Sequence, residues 1–138
     1  MPNHDPRHDQ PNAQPLGPAL LLRAEALAAL LLSLYAFRTF QAGHWGLYAL
    51  LFLLPDVSLL PFAFGAGRLQ VAFYNVLHCE LGPIALLATS VHAASPTPMR
   101  LGLIWLGHIG FDRLLGYGLK YPGSFRFTHL QTSRGVKE

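Results

Sequence analysis

Apolar residues along the chain gather in four long blocks with few charges inside them, separated by short stretches rich in Gly, Pro, Ser and Arg. A soluble amphipathic helix interleaves a polar face with an apolar one, whereas about 20 largely apolar residues are what a helix needs to cross a bilayer. The blocks predict spans at about Leu20–Phe37, Trp45–Phe64, Leu69–Ser90 and Met99–Tyr121. The expected fold is all-α, a polytopic membrane protein built as a four-transmembrane-helix bundle with short loops over residues 19–122. Pro55 and Pro61 in the second block and Pro83 in the third predict kinked or broken helices, because proline removes a ladder donor. Glycines in the fourth block permit close helix contact. Residues 1–18 open with MPNHDPRHDQPNAQP, which holds nothing able to pack a core and reads as a disordered polar tail; residues 123–138 form a second, cytoplasmic tail. The first apolar run begins late and exceeds a signal-peptide core, so it is expected to remain as an anchor.

Composition sharpens this picture. The apolar class makes up 51% of the 138 residues and charged residues 12%, about half the charge of a soluble domain. The net charge of +3 does not form a nucleic-acid-binding stripe, because Lys and Arg stand singly at block edges and in the tail. They read as topology markers. Arg7, Arg23, Arg68, Lys120, Arg126, Arg134 and Lys137 fall on one side, against Arg38 and Arg100 on the other. The positive-inside rule then puts both termini in the cytoplasm, with the chain in the inner membrane. A lone cysteine, Cys79, excludes an internal disulfide and a paired-cysteine zinc site, and reads as a small packing residue.

The chemistry lies in the ionisable residues inside the blocks. A charge at the bilayer centre costs roughly 2.5–3.5 kcal/mol on insertion scales, so each such residue calls for a partner or a role. Asp56 lies near the middle of the second span, His78 and Glu80 near the middle of the third, and His108 and Asp112 bracket the middle of the fourth. His108 and Asp112 share a helix face, as do Tyr74, Asn75 and His78. Two imidazoles and two carboxylates at a common depth suit zinc, manganese or iron, so Asp56, His78, His108 and Asp112 are candidate metal ligands. Glu80, or alternatively Glu25, is the candidate general base for hydrolysis of a lipid-like substrate, with Arg113 holding an anionic group. The structural alternative pairs Arg113 with Asp56 or Glu80 and uses the histidines and Asn75 as interhelical glue. A further alternative is a small ion- or proton-coupled transporter, which four spans would build as a homo-oligomer. Trp45, Tyr48, Trp105, Tyr117 and Tyr121 read as aromatic belt or core, and His129 as a solvated tail residue, with a ligand from the interface as the alternative.

The segments LLRAEAL, LLPDVSLLPF, YNVLHCELGPIAL and HIGFDRLLGYGLKYP together resemble a bacterial membrane family known as domain of unknown function 4260, over about Leu20 to Leu130. The resemblance implies membrane character and no defined activity. The family pattern carries an acidic residue before the THL segment, where this chain has Phe127. A fainter similarity is to inner-membrane metal-dependent hydrolases, whose motifs read Pro-Asp, then His, then His-x-x-x-Asp; it implies Asp56, His78, His108 and Asp112 as the matching ligands. That family shows a further acidic residue after Pro-Asp, where Val57 and Ser58 stand here.

Overall fold

In the computed structural model, which describes residues 17–40, 44–65, 67–93 and 95–122, the four blocks become helices. The tail residues Arg7, Arg126, His129, Arg134 and Lys137 lie outside the described residues. The first block is one unbroken helix, α1 (Pro18–Phe40). The second is α2 (Trp45–Phe52) followed by a 3-10 segment, Leu54–Phe64. Pro55 stands in its first turn and Pro61 inside it, and the α ladder gives way where those nitrogens cannot donate.

The third block divides into α3 (Arg68–Leu77) and α4 (Leu81–Ala93). Pro83 explains the division, since it cannot donate to the Cys79 carbonyl four residues back. The groups freed by the break find other partners, as they must in an apolar surrounding. The Leu81 N–H turns to Cys79 Sγ at 3.4 Å, and the Leu77 carbonyl accepts the Trp105 indole N–H at 2.6 Å. Gly82 makes room for that indole, because a Cβ there would run into the Trp105 ring.

The fourth block is α5 (Pro96–Leu115), and it is the centre of the bundle, packing against α1, α2 and α4. Its buried set includes Leu103, Ile104, Gly107, His108, Ile109 and Gly110. A Cβ on Gly110 would sit 2.9 Å from the Ala26 carbonyl oxygen and 3.0 Å from the Leu30 nitrogen, so the α1 and α5 backbones are nearly in contact. Gly107 leaves space for Ser33, whose hydroxyl donates to the Leu103 carbonyl at 2.7 Å and lies 3.4 Å from the Tyr48 hydroxyl. Around this lock Phe37, Tyr48, Leu103 and Ile104 form the apolar core.

Three of the helical units, Pro18–Phe40, Trp45–Phe64 and Arg68–Ala93, are long and apolar enough to cross a membrane. Their outward leucines, among them Leu31, Leu32, Leu50 and Leu60, are well exposed, which suits a lipid solvent and would be an aggregation hazard in water. The more polar α5, with Arg100, Asp112 and Arg113, is the helix the others enclose. It ends at Leu115, short of the expected Tyr121, because Gly116 adopts the left-handed conformation (φ 92°) and its N–H closes on the Arg113 and Asp112 carbonyls. His108 and Asp112 therefore occupy the last two turns of α5 instead of bracketing its midpoint. They nonetheless lie level with the middle of α1, since neighbouring Gly110 packs against Ala26 and Leu30.

Candidate metal centre

Each candidate ligand stands where the fold has a break or a face to offer. Asp56 lies in the first turn of the 3-10 segment, His78 caps the C-terminal end of α3, and His108 and Asp112 are one turn apart on α5. One donor atom from each lies within 4.8 Å of all the others, so together these residues can hold a metal ion. The two Nε2 atoms are 3.3 Å apart. His78 Nε2 is 3.4 Å from Asp112 Oδ2 and 3.7 Å from Asp56 Oδ1. His108 Nε2 is 3.6 Å from Asp112 Oδ2 and 3.7 Å from Asp56 Oδ1.

The imidazole–carboxylate lengths are compatible with a set of metal ligands. An N–H···O bond closes to about 2.7–3.2 Å, and all four imidazole–carboxylate contacts are longer. Four donors placed tetrahedrally at about 2.0–2.2 Å from a shared ion stand about 3.3–3.6 Å from one another. The charge also fits: with neutral imidazoles, two carboxylates carry the two negative charges that a divalent cation balances.

The surroundings orient the imidazoles. His78 Nδ1 lies 3.0 Å from the Tyr74 carbonyl, which can only accept, so Nδ1 carries the proton and Nε2 presents its lone pair to the cluster. The Tyr74 ring stacks on the His78 ring with centroids 3.9 Å apart and an interplanar angle of 13°. Phe52 meets His108 edge-on at 5.3 Å. His108 Nδ1 is buried without a hydrogen-bond partner among the described residues. Exposure is uneven: the His78 and His108 side chains are 4% and 1% exposed, Asp112 15% and Asp56 38%, so the cluster opens on the Asp56 side.

The other two named residues pair with each other. Arg113 Nη1 donates to Glu80 Oε1, which answers the choice between Asp56 and Glu80 in favour of Glu80. Neither belongs to the ligand cluster. They border a cavity of about 220 Å³ that Glu25, Ala26 and Leu106 also line, so Glu25, Glu80 and Arg113 face one space.

Asn75, expected as interhelical glue, and Lys120 also shape this region. Lys120, read as a topology marker, folds back so that Nζ lies 4.6 Å from the Tyr74 ring centroid and 5.4 Å from that of Phe62. Asn75 holds it there by both backbone groups: its Nδ2 donates to the Lys120 carbonyl at 3.0 Å and its Oδ1 accepts the Lys120 N–H at 2.8 Å. The chain leaves α5 at Gly116, whose φ of 92° ends the helix.

Fold and cluster together define a polytopic membrane protein whose enclosed central helix carries half of a partly buried His/Asp cluster that could hold a metal ion. The family model described as Domain of unknown function (DUF4260) matches residues 19–132, and the chain belongs to that family. No curated protein and no solved structure matches it.

Proposed function

We propose that Asp56, His78, His108 and Asp112 form an intramembrane site for a divalent ion, zinc, manganese or iron, that supports hydrolysis of a lipid-like ester. The supporting observation is that one donor atom from each of the four residues lies within 4.8 Å of the others, the imidazole–carboxylate pairs at 3.4–3.7 Å. Interhelical glue brings complementary groups to hydrogen-bond distance, as Asn75 and Lys120 do; here the four imidazole–carboxylate contacts are longer, at 3.4–3.7 Å. An ion held there supplies acidity, lowering the pKa of a water it binds.

The chain's own residues account for the remaining roles. The Tyr74 carbonyl fixes the His78 tautomer, while Tyr74 and Phe52 wall the imidazoles from water. Arg113, next in sequence to Asp112, is the group to meet an anionic part of the substrate. Glu80, or Glu25 across the shared cavity, is the group to take a proton from the attacking water. The water oxygen bonds to the acyl carbon, the bond from that carbon to the leaving oxygen breaks, and the proton passes from the carboxylate to the leaving oxygen.

Arg23 packs near Gly116 at the end of α5, which brings Arg23 and the Lys120 segment to one side of the bundle. This supports the reading that both termini face the cytoplasm across the inner membrane. The site is tested by metal analysis of protein purified in mild detergent without chelator, wild type beside His108→Ala. Stoichiometric metal in the wild type and its loss in the variant are expected. Metal at background in the wild type, even after add-back, overturns the proposal.

A further inference from the structure

An apolar cavity of about 250 Å³ opens beside the proposed metal centre, lined by Pro55, Leu77, Leu86, Leu101, Ile104 and Trp105 among others. Two relations tie it to the ligands. Pro55 and Leu77 immediately precede Asp56 and His78 in the chain. On α5, Leu101, Ile104 and Trp105 lie seven, four and three residues before His108, on the helix face that continues through His108 to Asp112. The face therefore runs from apolar wall to metal ligands, and the cavity extends away from the cluster along the α5 axis.

The cavity presents no charged side chain, and its size is below the roughly 300–1,000 Å³ of pockets that enclose whole drug-sized ligands. Its size and apolar lining suit a hydrocarbon chain better than a polar headgroup. Asp56, the most exposed ligand, follows the wall residue Pro55, so a chain lying in the cavity leads to the open side of the cluster.

Resting on the metal-hydrolase reading, we propose that this cavity receives one linear acyl chain of the amphiphilic ester, with the ester group at the Asp56 side, and that Leu101, Leu86 and Trp105 set which chains are accepted. The bilayer supplies acyl chains on all sides, so entry gains little from burial alone. Selection is then made by fit, and filling the cavity abolishes it.

The test uses the full chain in a sterol-based detergent that has no linear alkyl chain. A palmitoyl probe bearing a diazirine is photo-crosslinked, and the labelled residues are identified by mass spectrometry. Labelling at the cavity is expected to saturate, to be competed by palmitoyl lysophosphatidylcholine but not by its butyryl homologue, and to fall at least tenfold in Leu101→Trp and in Leu86→Trp. Lipid-facing Leu32, at 66% exposure, serves as the non-saturating reference. Cavity labelling that behaves like that at Leu32, or that persists in whichever filled variant folds, overturns the proposal. Metal content is measured on the same samples: saturable labelling without metal sinks the hydrolase reading and leaves the chain site standing, whereas retained metal with non-saturable labelling does the reverse.

Discussion

Replacing Asp56 by Asn separates a metal ligand from an ion-pair partner by the sign of its effect. The Asp56 and Asp112 donor oxygens lie within 4.8 Å of each other. Two unit charges at that distance repel by about 3.5 kcal/mol at an effective dielectric of about 20. Because Asp56 is 38% exposed, solvent screening reduces this to about 1–2 kcal/mol. Metal-free Asp56→Asn protein is therefore expected to match the metal-free wild type in stability or exceed it by about 1 kcal/mol, having lost one of two mutually repelling carboxylates. With zinc at about one hundred times its dissociation constant, the wild type gains about 2.7 kcal/mol, on the order of 10 °C in Tm for a domain of this size. The variant, missing a ligand, gains far less. If Asp56 instead neutralised a protonated imidazole, the same substitution would destabilise the metal-free protein and zinc would not distinguish the two chains. Thermal unfolding in detergent, followed by Trp45 and Trp105 fluorescence in chelator and in zinc, reads both quantities. A metal-free variant less stable than wild type by more than about 1 kcal/mol, with equal zinc responses, would refute the ligand assignment.

The fold makes further tests available. Gly110→Ala puts a Cβ 2.9 Å from the Ala26 carbonyl oxygen, and backbone atoms cannot give way as a flexible side chain does, so a loss of about 1–3 kcal/mol in unfolding free energy is expected. Gly46→Ala in α2 meets nothing within 4 Å and should be neutral or stabilising by about 0.5–1 kcal/mol; equal losses at both positions would refute the close α1–α5 contact. Asn75→Leu removes both hydrogen bonds to Lys120, about 2 kcal/mol together, and hydrogen exchange at the Lys120 amide should accelerate up to about 30-fold. Unchanged exchange there would show that the clamp does not hold the segment. Trp105→Phe leaves the Leu77 carbonyl without its indole donor and should lower stability by about 1–3 kcal/mol, whereas a neutral result would mean that the break before α4 is satisfied in another way.

The helical architecture was legible in the sequence because its causes are local. Apolar blocks of membrane length need no tertiary knowledge to be recognised, and Pro55 and Pro83 interrupt a ladder wherever they stand. The shared depth of Asp56, His78, His108 and Asp112 could likewise be counted along each span, although it does not by itself bring side chains together. Other features depended on choices that only the assembled bundle makes. Glycine is common inside membrane helices, so nothing local marked Gly116 as a terminator while Gly107 and Gly110 continue the helix. Whether Arg113 met Asp56 or Glu80 depended on the rotation of α5 against the α3–α4 break. The Tyr74–His78 stack was half visible as a shared helix face. Lys120 was hidden, because a cation just beyond an apolar block has the same appearance whether it marks topology or folds inward.

The pairing of α1 with α5 has a consequence for biogenesis. A chain is synthesised and inserted from its N-terminal end, yet here the first of the described helices takes as a principal neighbour the last of them. The surface of α1 around Ala26, Ser33 and Phe37 must wait, shielded only by lipid or by the insertion machinery, until α5 arrives. α5 itself is not among the units apolar enough to cross a membrane by themselves, so its insertion is expected to depend on helices already in place. Completion of the bundle and completion of the His/Asp cluster are thus the same event, and a nascent chain stalled before α5 has neither.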